Sequence, residues 1–343
     1  MTTTKKSLTT TRRAMLTGAA AVFAAVPLIG TATASAAAQV LPPEEITRLF
    51  ARLPGVVAGK IVAPAVASRP GLTVEFNASM RLFVGSAIKT FVLCEALRQA
   101  DSPAVVATIA SRQLTLDQSV WSPDAPSFNP PYLTGKVSER TTLEAMITHS
   151  DNTATDMALT LAGPGNVRGF IASTGLRSTL IPDSTRIFLG YLLGAKNYQT
   201  FTWADLVAAE KANDPIVNSP LNSVQTMASS ADDLVAYYSK SLQGAFFADP
   251  ATLTQFREIL AMGGAIWLVP LPLGVSAFAK GGSIDVPGFH AVCVAGGMFF
   301  GDRWVYFCLT INWYAPAETD TDTVNAFLAA ANRALTLVKG ALS

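Results

Sequence analysis

The sequence predicts an α/β protein of the α+β type: a mainly antiparallel sheet flanked by helices, with an all-helical lobe beside it. Three observations carry this reading. Strand-like text lies near both ends of the chain, helical text fills the middle, and an amphipathic helix closes the sequence. In order, "ITRLFARL" (Ile46–Leu53) sets its apolar residues on one face of a short helix. "GKIVAPAV" (Gly59–Val66) and "LTVEFNAS" (Leu72–Ser79) are strand-like, rich in β-branched residues and separated by "SRPG". From Ser86 to Arg98, the residues Ile88, Phe91, Val92 and Leu97 follow helical spacing. Helices and loops dominate from about Ala100 to Leu260, in "TLEAMITHSDNTATDMALTLAG", "SADDLVAYYSKSLQG" and "ATLTQFREILAMG". Strand text returns in "SAFAKGGS", "FHAVCVAGGMFF" and "RWVYFCLTINW", the last apolar almost throughout, as in a strand covered on both faces. From about Asp322, Val324, Phe327, Leu328, Ala331, Leu335 and Val338 form one stripe. Bringing the two strand-bearing ends together gives a sheet lobe of about residues 39–99 and 266–343. Residues of about 100–265 make the helical lobe, and the cleft between lobes is where a small molecule would bind.

Residues 1–38 are of another kind. Paired Arg12 and Arg13 precede the apolar, Ala-rich "GAAAVFAAVPLIG", and small-residue sites follow in "TATASAAAQ". This is the layout of an export signal, and the twin arginines favour the route that carries folded proteins. The apolar run is about a dozen residues, short of the ~20 that span a bilayer. Cleavage is expected near Ala36–Ala38, leaving a periplasmic or secreted chain with no stable membrane anchor.

Composition narrows the partners. The chain has 343 residues, 50% of them hydrophobic and 14% charged, with a net charge of +1. That suits a sizeable core and leaves no electrostatic case for nucleic acid or an anionic membrane. A small-molecule substrate and a monomeric protein are expected. Three cysteines, Cys94, Cys293 and Cys308, are too few for a disulfide framework. Cys293 and Cys308 could face one another across a hairpin, or remain buried thiols. The two histidines, His149 and His290, have no ligand-like spacing, so neither a metal nor another cofactor is implied.

Three short motifs carry the chemistry. "SAIK" sets Ser86 one helical turn ahead of Lys89, and positions i and i+3 share a helix face. "HSDN" places Ser150, Asp151 and Asn152 at a turn between helical segments. "KGGS" places Lys280, Gly281, Gly282 and Ser283 toward the end of a strand. Singly, each also reads as ordinary structure: a helix start with a solvated charge, a helix cap, a turn. In the order S-x-x-K, S-D-N, K-[T/S/G]-G they resemble the serine β-lactamase and penicillin-binding protein superfamily. Within it the chain is most similar to class A β-lactamases, through "ITHSDNTATDMALTLAGP", "SVWSP" and "TMASSADDLVAYY", over roughly Leu41 to the end.

The resemblance implies a serine hydrolase that passes through an acyl-enzyme. Ser86 would be the nucleophile and Lys89 its base, neutral only if burial and nearby cations hold it so. Ser150 would carry a proton to the leaving nitrogen, and Lys280 would bind a substrate carboxylate. Asn152 would hold Lys89 and the acyl side chain, and Trp121 would stand at the cleft mouth. The backbone N–H groups of Ser86 and Ser283, with Gly282 between lysine and serine, would form the oxyanion hole.

Two departures keep the activity open. The E-x-x-L-N setting of the class A deacylation base is missing, and "STRIFLGYLLGAKNYQTF" lengthens that region. Glu210 is the one glutamate between Asn152 and Glu258, and is the candidate base. Its surroundings, Thr202–Lys211, also read as a capped helix with Glu210 outward. Gly281 replaces a hydroxyl residue that would help bind a carboxylate, for which His290 is a candidate substitute; a strand-edge histidine is the other reading. Three functions follow: a β-lactam hydrolase, a D,D-peptidase or esterase-like hydrolase of D-Ala-D-Ala-like peptides or small esters, and a penicillin-binding sensor that acylates without turnover.

Overall fold

The computed structural model describes residues 42–67, 69–262 and 269–343. The proposed export signal therefore lies outside the described residues. Among them, no helix is long and apolar enough to cross a membrane. A five-stranded antiparallel sheet is formed by β1 (Val56–Ala63), β2 (Leu72–Phe76), β7 (Ser276–Val286), β8 (Phe289–Phe300) and β9 (Arg303–Trp313), in the order β2-β1-β9-β8-β7. The N-terminal hairpin thus docks on the C-terminal meander, with Val57 opposite Ile311.

Period-2 alternation explains why β9 is apolar on both faces. Its residues Val305, Phe307, Leu309, Ile311 and Trp313 join a core with Phe327, Ala331, Leu335 and Val338 of the terminal helix α11 (Thr321–Leu342) and with Ile46 and Phe50 of α1 (Pro43–Phe50). Tyr306 and Cys308 face the other way, into the larger core shared with the helical lobe. On β7, Ile284 and Val286 belong to that larger core, so Lys280, on the same alternation, faces the cleft side.

The segment predicted as one helix from Ser86 to Arg98 is a 3-10 turn, Gly85–Ile88, followed by α2 (Lys89–Gln99), whose residues Lys89 to Leu97 are all buried. The helix is buried nearly all round, its Lys89, Thr90 and Glu95 included, because it forms the centre of the molecule. The middle of the chain holds α3 (Val105–Ser111), α4 (Glu139–Thr148), α5 (Asn152–Ala162), α6 (Pro164–Ser173), α7 (Thr185–Leu192), α8 (Trp203–Ala212), α9 (Ala231–Ser241) and α10 (Pro250–Ala261). It also holds a small hairpin, β4 (Gln113–Leu116) with β5 (Gly135–Ser138), where helices and loops were expected to dominate. At four residues each, these strands are too short to show a period-2 signature. Two shorter strands, β3 (Leu82–Phe83) and β6 (Ala228–Ser229), pair just ahead of Ser86. The α8 helix has the predicted cap, with Thr202 and Asp205 bonding each other's backbone N–H.

All three cysteines are buried free thiols; Cys293 and Cys308 sit diagonally on β8 and β9, with their sulfurs 4.0 Å apart.

Candidate active site

The Ser86 turn is held against β7 at a distance only glycine permits. A Cβ on Gly282 would fall 2.2 Å from Val84 O, 2.5 Å from Ser86 N and 2.6 Å from Ala87 N. Gly85, in the left-handed region at φ +54°, answers from the other side, where a Cβ would fall 2.8 Å from Ser283 N. The two backbones therefore run side by side, with Ser86 and Ser283 as neighbours. Upstream, Asn312 of β9 acts as a surrogate strand edge for β3. Its Oδ1 accepts from Phe83 N at 2.8 Å and its Nδ2 donates to Phe83 O at 2.9 Å. Sequence reading missed this residue, although a lone amide inside the apolar "CLTINW" was the available signal.

Lys89 is fully buried, and its ammonium donates to Ser150 O (2.5 Å), Asn152 Oδ1 (2.8 Å) and Ser150 Oγ (3.3 Å). Among the described residues no hydrogen bond joins Ser86 Oγ to Lys89; unliganded sites often hold such pairs loosely. Lys280, also buried, donates to Ser150 Oγ at 3.1 Å and to Gly281 O at 3.0 Å. One hydroxyl therefore lies between two lysines. It is set there by a left-handed backbone, φ +54° at Ser150. The turn is locked by Asp151, whose carboxylate accepts from Ala154 N, capping α5, and from Ser127 N and Phe128 N.

Burial lowers Lys89 to about 8, against the charges of Asp151, Asp156 and Asp124, which favour its protonated form. Lys280 is pushed well below the ordinary lysine range by burial and then by the charge of Lys89.

The cleft mouth is the loop between β4 and β5. It is pinned to α5, because Ser122 N and O both bond Thr153 Oγ1 at 3.0 Å, and Asn152 bonds Pro123 O and, through its main chain, Asp124 O. Arg186 of α7 fans onto the same loop, donating to the carbonyls of Gln118, Ser119 and Trp121 and to Phe201 O. Trp121 is half-buried and meets Trp203 of α8 edge-on at 5.9 Å. It ties α8 to the mouth instead of standing open to the cleft.

The structure places two further candidates. His290 lies fully buried on the face of β8 away from Lys280. It stacks on Trp313 at 5.1 Å, its Nδ1 pairs with Asp285, and its Nε2 lies 3.2 Å from Ala315 O. With both nitrogens engaged, it offers no donor to a substrate; this is the strand-edge histidine, not the carboxylate anchor. Glu210 is exposed on α8, two helical turns after Trp203 on the same face, and its charge reaches Asp124. Among the described residues no cluster could hold a metal ion.

This geometry has relatives. The family model described as "Beta-lactamase enzyme family" matches residues 43–285. A search of curated proteins gives no match. Among solved structures, the chain is similar to a class A beta-lactamase from Mycobacterium abscessus, with TM-score 0.63 and 16% identity over 87% of this chain and 99% of that one. It is also similar to PBP-A, with TM-score 0.62 and 17% identity over 87% and 95%. A third is the TLA-3 extended-spectrum beta-lactamase, with TM-score 0.64 and 14% identity over 85% and 96%. At such identities the structures establish the common fold. The sequence match, over most of the described chain, establishes the lineage: this protein belongs to the β-lactamase enzyme family and is a serine hydrolase of that kind.

Proposed function

We propose that the protein is exported to the periplasm or beyond and there, as a monomer, hydrolyses the amide of β-lactams through an acyl-enzyme on Ser86. The observation that carries this is Ser150 Oγ between the two lysine ammonium positions, at 3.3 and 3.1 Å. In this reading, a substrate carboxylate arriving at Lys280 favours that lysine's charged form and draws a proton from Lys89 through Ser150. Neutral Lys89 then takes the Ser86 hydroxyl proton as Oγ attacks the carbonyl carbon. The oxyanion is received by the backbone N–H groups of Ser86 and Ser283, which the glycine contact sets side by side. As the C–N bond breaks, Ser150 hands a proton to the leaving nitrogen and takes one from Lys280, leaving an ester on Ser86 and a proton on Lys89. Asn152 keeps Lys89 in place and offers its amide to the acyl side chain.

The test is intact mass after incubation with a penicillin or a chromogenic cephalosporin. Wild type is expected to form an adduct and turn over; Ser86→Ala is expected to form none while remaining folded. Labelling of the alanine variant would remove Ser86 from its role.

A second reading, a D,D-peptidase or esterase acting on D-Ala-D-Ala-like peptides or small esters, is favoured by one observation. Helix α7 packs beside the nucleophile turn, Phe188 against Phe83 at 5.9 Å, yet carries no carboxylate. Long-lived β-lactam adducts with turnover of a D-Ala-D-Ala thioester would select it.

A further inference from the structure

We propose that Asp124, at the cleft mouth, is the base that activates water for hydrolysis of the Ser86 acyl-enzyme. The proposal rests on the acyl-enzyme reading above and assigns its second half. Water must lose a proton as it attacks the ester, and an efficient hydrolase holds a carboxylate where that happens.

The segment that flanks the nucleophile does not supply one. Asp183, just before α7, is occupied by Arg168 and Gln225. The α7 backbone is instead capped by Asp156, which accepts from Thr185 N and Arg186 N. Asp151 is likewise spent on three backbone N–H groups. Of the three aspartates whose charge reaches Lys89, Asp124 is the one whose carboxylate accepts no hydrogen bond among the described residues.

Its placement is built. Asp124 sits in the left-handed region, φ +54°, a conformation that costs a non-glycine residue and persists where surroundings enforce it. The enforcement is visible: Asn152 N donates to Asp124 O at 3.3 Å, and Asn152 Nδ2 to Pro123 O at 3.0 Å. The same Asn152 receives Lys89 at 2.8 Å, so Asp124 and the acylation base hang on one side chain. Burial raises Asp124 to about 7; Lys89 opposes the rise and Glu210 adds to it. Among the described residues, these are the charged groups that act on it, from α2 and α8. A partly buried carboxylate of that basicity, which accepts no hydrogen bond among the described residues, is matched to taking a proton near neutrality.

The step balances as follows. The water oxygen bonds to the acyl carbon while its proton passes to Asp124. The carbon–Oγ bond then breaks, and Ser86 Oγ takes the proton carried by Lys89. The product leaves as the free acid, and Asp124 returns its proton to Lys89 or to solvent.

The experiment uses the full chain and three variants, with a penicillin and a small activated ester as acylating substrates. Adduct formation and decay are followed by intact mass and stopped flow. Asp124→Asn preserves size and tolerates a left-handed φ, and removing its charge favours neutral Lys89. It is therefore expected to give one adduct per protein at about the wild-type rate and to slow adduct decay by ~10²–10⁴-fold. Wild-type decay is expected to rise with pH through about 7, a limb that Asp124→Asn loses. Glu210→Gln is expected to keep turnover and move that limb to lower pH, as a positioning charge should. Equal decay in wild type and Asp124→Asn would overturn the assignment and leave the acyl-enzyme reading standing. So would an Asp124→Asn variant that fails to acylate, or decay lost in Glu210→Gln instead. No adduct on wild type with either substrate, matched by Ser86→Ala, would overturn both.

Discussion

Lys89 is where residue chemistry and protein environment meet. An ordinary lysine is charged at neutral pH and has no base to offer; burial lowers this one to about 8. Only its neutral form can take the Ser86 proton, so kcat/KM for acylation is expected to rise as pH rises through about 8 and to level above it. A profile flat across that interval, read by stopped flow at low substrate, would remove Lys89 from the role. The lysine was legible in sequence because its motif is local, three residues from the serine. Asp124 was not. An aspartate after a proline in "SPDAP" reads as a turn residue, and its meaning depends on Asn152, Lys89 and Glu210, which only the fold brings near.

At the scale of elements, the site depends on how closely β7 approaches the turn before α2. Gly282→Ala puts a methyl group where Val84 O and Ser86 N already stand, and both are backbone, which has little room to yield. The expected outcome is a loss of kcat/KM of ~10²-fold or more, as positional errors near 1 Å produce, with about 1–3 kcal/mol of destabilisation by overpacking. Steady-state rates and urea unfolding would measure the two; unchanged values would mean that β7 does not set the oxyanion hole. The long elements were readable because burial marks them: α11 carries a helical stripe, while β8 and β9 run apolar nearly throughout because both their faces are covered. The β4–β5 hairpin and the loop it closes were not. Their form comes from tertiary ties, above all the Arg186 fan onto four carbonyls, and no sequence period records a hydrogen bond to backbone.

For the molecule as a whole, buried lysines cost stability. A lysine whose folded value lies below its unfolded one releases a proton on folding, so stability rises with pH between the two values. For Lys89 the window runs from about 8 to the ordinary 10.5. Below it the full cost is present; above it the cost is gone. Burial pushes Tyr237, Tyr238, Cys94 and Cys308 up from their ordinary values, which also makes stability depend on pH here, so the measurement is a difference. Lys89→Met removes this group alone, and wild type is expected to gain about 3 kcal/mol on the variant between pH 8 and 10.5. Urea unfolding of both proteins at each pH would show it, and a constant gap would mean that Lys89 is not desolvated.

The order of strands in the sheet has a bearing on synthesis. β1 lies between β2 and β9, and Asn312, which holds Phe83, stands 229 positions further along the chain. A growing polypeptide therefore emerges with its first hairpin long before the partner for that hairpin's open edge exists, and such an edge invites pairing with other chains. The serine of the site is translated early and Lys280 late. A chain released from the ribosome before β9 would carry Ser86 with Lys280 not yet fixed beside it, so the proposed acylation is expected to begin only once the last strand closes the sheet.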